Sequence, residues 1–192
     1  MFVEYSLGDG SQNGFIEVIT GSMFSGKTEE LIRRLKRAMI AQQKVKIFKP
    51  EKENRYSPLK VVSHDDNELV SMPVNNSGDI LPEAQGADVI GIDEAQFFDD
   101  QLPVVVNELA SKGIRFVIAG LDMDYTGHPM GPMPDIMAIA DDVTKVHAVC
   151  IRCGNLAQFS HRKVKTKDLF LLGERDVYEP LCRNCFTKLS SH

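Results

Sequence analysis

Residues 15–28 read FIEVITGSMFSGKT, and this stretch decides the fold. FIEVIT, residues 15–20, reads as a short buried strand. It runs into Gly21-Ser22-Met23-Phe24-Ser25-Gly26-Lys27-Thr28, which matches G-x-x-x-x-G-K-[ST], and a helix is predicted from about Lys27 to Ala41. The glycines let successive backbone N–H groups turn toward one anion. The helix N-terminus adds the positive end of its dipole. Lys27 supplies a cation for β- and γ-phosphates, and the Thr28 hydroxyl can ligate Mg²⁺. Strand, loop and helix together predict a site that holds the phosphates of ATP with Mg²⁺.

Outward from that loop the chain alternates strands and helices. On the first helix Leu31, Leu35 and Met39 recur every four residues with Ile32 beside them, giving one apolar stripe. Arg33, Arg34, Lys36 and Arg37 are expected on its solvated faces. KVKIFK (residues 44–49) is a second strand closed by Pro50, and DVIGID (88–93) a third that ends in acid. Residues 51–86 are polar and weakly patterned and read as a long, partly mobile loop segment. Residues 101–112 suit a helix with Pro103 in its first turn and Gly113 just past its end. RFVIAG (115–120) is a fourth strand, residues 135–140 a short helix and residues 144–149 a fifth strand. This order implies an α/β fold, a mostly parallel sheet with helices on both faces. From Cys150 onward the pattern changes to short β-like pieces with polar turns. The expected organisation is a flexible tail (1–14), a nucleotide-binding domain (15–147) and a small metal-binding domain (148–192).

Asp93 and Glu94 close the third strand. An acid at the end of a strand near a phosphate loop holds Mg²⁺, usually through water, which suits Asp93. Glu94 lies one residue nearer the phosphates and could take a proton from the attacking group; its alternative is to cap the next segment. The attacking group could be water, as in an ATPase, or a substrate hydroxyl, as in a kinase. Asp93-Glu94-Ala95-Gln96 looks superficially like a helicase box, but the chain has no room for a second motor domain.

The four cysteines form two C-x-x-C pairs, Cys150/Cys153 and Cys182/Cys185. Two such turns complete a Cys₄ site, for which zinc is the default metal and an iron–sulfur cluster the alternative. With no open ligand position in the pattern, the metal is expected to be structural and to tie the last segment to the core. Thiolate pairs of this kind point to a reducing cytosol rather than to disulfides. The chain of 192 residues carries a net charge of -5, which disfavours a general nucleic-acid binder. No apolar run is long enough for a membrane helix, and the first residues lack the charge and apolar pattern of a secretion signal. A cytoplasmic protein without membrane or nucleic-acid partners is expected.

Taken in order, these pieces resemble the zinc-containing thymidine kinases of many bacteria, large DNA viruses and the animal cytosol. The resemblance spans residues 15–186. It rests on GSMFSGKT, Arg55-Tyr56, Ser63-His64-Asp65, GIDEAQFF (91–98), Leu121-Asp122 and the two cysteine knuckles flanking Tyr178. It implies a RecA-like P-loop core with a small zinc-ribbon-like domain bearing a lasso loop. It implies transfer of the γ-phosphoryl of ATP to the 5′-hydroxyl of thymidine or deoxyuridine. Glu94 would be the general base, Arg55 the cation beside the transferred phosphoryl with Arg162 a second candidate, and Lys27 a further catalytic cation. Asp93 and Gln96 would serve the ATP–Mg²⁺ side. Met23, Phe97, Leu121, Tyr125 and Tyr178 would line the nucleoside pocket. Leu169, Phe170, Leu171, Leu172 and Gly173 would form the lasso that reads the base through its backbone. The family habit further implies a homotetramer and feedback by dTTP. Glu53 stands where the family often has Asp, Met130 where an aromatic is common, and all four metal positions are Cys.

Overall fold

Along the first strand (β1, Phe15–Gly21), Ile16 and Val18 face one apolar cluster and Ile19 faces another, so both sides of the strand are covered. The same alternation continues in β2 (Val45–Pro50), where Phe48 and Ile47 face opposite sides. It recurs in β6 (Val89–Ile92) and β7 (Arg115–Gly120). A period of two with both sets apolar is the signature of a parallel sheet between helical layers. The computed structural model describes residues 14–51, 60–62, 68–164 and 176–190.

The outer strands of the main sheet are β5 (Met72–Val74) and β8 (Asp142–Val146). Its six strands run in the order β5-β2-β6-β7-β1-β8, with every adjacent pair parallel. Helix α1 (Lys27–Ile40) covers one face with Leu31, Ile32, Leu35 and Ala38. The opposite face is covered by α2 (Ile80–Glu83), α3 (Leu102–Ser111) and α4 (Met133–Ile139). Each fully buried aliphatic side chain in these layers contributes about 1.5–3 kcal/mol. Two short strands, β3 (Lys60–Val62) and β4 (Glu68–Val70), pair antiparallel outside the main sheet. No helix among the described residues is long and apolar enough to cross a membrane.

The C-terminal part has its own small pairings. β9 (Ala148–Val149) pairs with β10 (Leu156–Ala157), and β11 (Phe159–Arg162) with β12 (Tyr178–Leu181), both antiparallel. Helix α5 (Arg183–Ser190) follows β12. Ala148, Cys150, Ala157, Leu181 and Cys182 form a separate buried cluster.

Several local expectations change. Met39, assigned to the apolar stripe, is 39% exposed and its neighbour Ile40 79%, both in the last turn of α1. Arg34, assigned to the solvated face, is 1% exposed. Its guanidinium donates to Glu17 at 2.7 Å, Glu30 at 2.8 Å and Thr144 at 2.9 Å. Glu17 accepts in turn from Arg115 at 2.6 Å. The fifth strand, expected over residues 144–149, is two: β8 belongs to the main sheet and β9 to the C-terminal pairing. Residues 51–86, read as loop, contain a sheet strand: Met72-Pro73-Val74 pairs with β2, and the Glu51 N–H donates to the Val74 carbonyl at 2.9 Å. Helix α5 replaces part of the β-like reading after Cys150.

The Arg34 network makes a quantitative prediction. Arg34→Ala leaves buried Glu17 and half-buried Glu30 short of a partner and is expected to lower the unfolding free energy by about 3–5 kcal/mol in urea titrations. Arg33→Ala removes an exposed ion pair with Glu30 and is expected to cost about 0.5 kcal/mol or less. Equal losses in the two variants would contradict the burial argument.

Candidate active site

Parallel strands end together, and the loops after β1, β6 and β7 therefore meet at one edge of the sheet. The loop after β1 is the glycine-rich one. Gly21 runs so close to β8 that a Cβ there would lie 2.1 Å from the Val146 carbonyl oxygen. Gly26 takes the left-handed conformation (φ 86°) at the N-cap of α1 and offers no side chain to cap it. The first helical N–H groups thus have no capping side-chain oxygen and are suited to an anion. Phe24 is also left-handed (φ 64°), an uncommon state for a non-glycine residue.

Within the loop Ser25 Oγ donates to the Ser22 carbonyl at 2.7 Å, and Lys27 Nζ donates to the same oxygen at 2.8 Å. The Thr28 hydroxyl faces Asp93, 3.3 Å from Oδ2. Asp93 follows β6 and is buried. Burial pushes its carboxyl up to about 7, and neighbouring Glu94 adds to the rise. Desolvation lowers the Lys27 pKa, opposed by the negative charges of Glu94, Asp93 and Asp122. A hydroxyl and a carboxylate oxygen facing each other are hard oxygen donors of the kind Mg²⁺ takes. A cation there would relieve a carboxylate that is costly to ionise in the bare site.

Glu94 is left-handed as well (φ 52°), at the start of a short 3₁₀ turn over Ala95–Phe97. Its N–H donates to Asp93 Oδ1 at 3.0 Å. Gln96, expected on the ATP–Mg²⁺ side, is buried and bonded to Glu94. Its amide nitrogen donates to Glu94 Oε2, and its Oε1 accepts the Leu121 N–H at 2.9 Å. Gln96 therefore ties the Glu94 carboxylate to the end of β7. Leu121, assigned to the nucleoside pocket, is buried beside it.

Three further pocket candidates, Tyr125, Tyr178 and Met23, belong to or meet the C-terminal module. Tyr125 and Arg162 meet, with the guanidinium carbon 3.6 Å from the ring centroid. Tyr178 is the cross-strand neighbour of Arg162. Met23 reaches the same module through its N–H, which donates to Ser160 Oγ at 2.9 Å. Phe97 is half-buried in the 3₁₀ turn, and Met130 is buried. Arg55 and the segment Leu169, Phe170, Leu171, Leu172 and Gly173 lie outside the described residues, as do residues 1–13 of the expected tail.

Sequence reasoning left two residues here without a role. Asp122, next after Leu121, is buried; its Oδ2 pairs with Lys145 at 2.6 Å, while Oδ1 has no hydrogen-bond partner among the described residues. Its position just past a parallel strand, like that of Asp93, was the available signal. Ser160 carried no signal, since the group it binds is 137 residues earlier.

The sulfurs of Cys150, Cys153, Cys182 and Cys185 lie within 4.8 Å of one another, and all four cysteines are free of disulfides. Four thiolates bound tetrahedrally at 2.3 Å would be spaced by roughly 3.8 Å, so the set fits a metal such as zinc. Burial opposes ionisation of the Cys150 thiol, but hydrogen bonds from the backbone of Cys182, Arg152 and Cys153 outweigh it and bring the pKa to about 6. Cys185 is pushed up to about 12, first by its hydrogen bond with Cys153.

The Asp93 environment predicts a pH effect on the nucleotide-free, magnesium-free protein. Its carboxyl ionises near 3.8 in the unfolded chain and near 7 in the fold, so the fold loses stability as pH rises through that window. Asp93→Asn removes the loss. Its melting temperature is expected to exceed that of the parent at about pH 8, with the gap closing toward about pH 5. A gap independent of pH would contradict the assignment.

The sequence model of the family described as "Thymidine kinase" matches residues 14–186. The thymidine kinase of Bacteroides thetaiotaomicron is 57% identical over 188 residues, covering 98% of this chain and 94% of that protein. That of Porphyromonas gingivalis is 57% identical over 189 residues, covering 98% and 93%. That of a Rhodothermus species is 55% identical over 177 residues, covering 92% and 83%. The chain belongs to the thymidine kinase family.

Proposed function

We propose that the chain transfers the γ-phosphoryl group of ATP to the 5′-hydroxyl of thymidine, and of deoxyuridine, giving the 5′-monophosphate and ADP. The observation that carries the reading is the meeting of Thr28 with Asp93 at 3.3 Å, with Glu94 next in the chain, in a member of this family. The glycine loop and the open N-terminus of α1 take the phosphates, and Lys27 exchanges its Ser22 carbonyl for them. Thr28 and Asp93 would hold Mg²⁺, which would supply charge neutralisation for the phosphate oxygens. Glu94 accepts the proton of the 5′-hydroxyl, and Gln96 keeps its carboxylate aimed by linking it to the Leu121 backbone. Much of the rate then comes from orientation and charge placement rather than from strong basicity.

Met23, Phe97, Leu121, Tyr125 and Tyr178 form the walls for the nucleoside, and Leu169, Phe170, Leu171, Leu172 and Gly173 the lasso over the base. Arg55 supplies the cation at the transferred phosphoryl. Arg162, stacked on Tyr125, belongs on this reading to the pocket wall. The division at residues 147/148 separates a nucleotide-binding domain from a zinc-binding one, and zinc acts structurally at the four cysteines. The working form is a cytoplasmic homotetramer restrained by dTTP.

Glu94→Gln keeps the side chain's shape and is expected to bind ATP and thymidine as before while kcat falls about 10²–10⁴-fold. A panel of nucleosides with labelled ATP should yield dTMP and dUMP; steady ATP hydrolysis without a nucleoside would favour an ATPase instead. Metal analysis of purified active protein should find about one zinc per chain, and fully active protein free of zinc would remove the structural-zinc reading.

A further inference from the structure

Three contacts join the phosphate loop to the cysteine module. Met23 N–H donates to Ser160 Oγ at 2.9 Å, and Ser160 is buried. Ser22 Oγ donates to the Ala157 carbonyl at 3.4 Å. Phe24 packs against the cluster of Ala148, Cys150, Ala157, Leu181 and Cys182. The strands that supply these partners also present the knuckles. Ala157 is on β10, whose partner β9 leads directly into Cys150; Ser160 is on β11, whose partner β12 leads directly into Cys182. Phe24 holds a left-handed backbone that its own side chain disfavours. A strained residue of this kind persists where its surroundings over-determine it, and here the surroundings are the cysteine module.

We propose that Ser160 is a positioning residue for the phosphate loop, and that ordering of the cysteine module sets the loop's affinity for a nucleoside triphosphate. The Met23 amide is committed to Ser160, which fixes the path from which the neighbouring loop N–H groups face the phosphates. Phe24 anchors the same path from its apolar side. On this view the module does more than extend the fold: losing its order releases the left-handed turn at Phe24 and scatters the amide donors. The proposal rests on reading residues 21–28 as the ATP site.

The test uses the metal-loaded full chain. Ser160→Ala is expected to keep its metal content, to exchange the Met23 amide about tenfold faster or more, and to bind MgATP about 5–20-fold more weakly by calorimetry. Ser160→Thr, which retains the hydroxyl, should stay within about twofold of the parent in ATP affinity. Stripping metal from the parent chain with a thiol-directed chelator should weaken MgATP binding in the same direction. Unchanged ATP affinity in Ser160→Ala, or in the stripped parent, would overturn the proposal. No arm measures thymidine turnover. A parent chain that makes no dTMP would therefore count against the kinase reading and leave this comparison intact.

Discussion

At one edge of the sheet an ammonium group and three carboxylates must share a poorly hydrated space, and the rest of the structure depends on that constraint. Lys27 comes from the start of α1, Asp93 and Glu94 from the end of β6, and Asp122 from the end of β7. Desolvation acts against the ionised forms of Lys27 and Asp93, and each carboxylate is held by a hydrogen bond or an ion pair. Asp93 accepts from the Glu94 amide, Glu94 from Gln96, and Asp122 from Lys145. A polyphosphate with its cation offers what this bare edge lacks: negative charge for the loop amides and Lys27, and positive charge for Asp93. The backbone at Phe24 and Glu94 holds the uncommon conformation that this arrangement needs, consistent with strain gathering where chemistry is done.

Two kinds of support hold that edge in place. From below, the paired apolar layers on either face of the sheet fix the strands in parallel register. The Arg34–Glu17–Arg115 chain of ion pairs stitches α1 to β1 and β7. From the side, the cysteine module grips the glycine loop. The module is small and cannot bury much apolar surface of its own, which is the situation in which a metal substitutes for a core.

How much of this was legible in the sequence followed from the range of the interactions. The glycine loop, β1, β6, β7 and the cysteine pairs are spelled by neighbours a few residues apart, and the structure assembles them as the spacing implied. The Thr28–Asp93 meeting was inferable because two motifs each name their half. Arg34 was misread because a helix-face count cannot see that the arginine lies over Glu17 of another element. Ser160 was invisible for the same reason, its partner being a backbone N–H on a distant loop. The β5 strand was missed since three residues with a central proline carry almost no periodic signal. The link that Gln96 makes between Glu94 and the Leu121 backbone carried no signal either, because only the fold brings those groups together.

That proline has a consequence of its own. The Val74 carbonyl points inward to accept from Glu51, so Pro73, one residue earlier in an alternating strand, turns its ring nitrogen outward. At the outer margin of a short strand there is then no central amide to recruit a stray extended peptide. That flank is thereby a poorer template for edge-to-edge pairing with another chain.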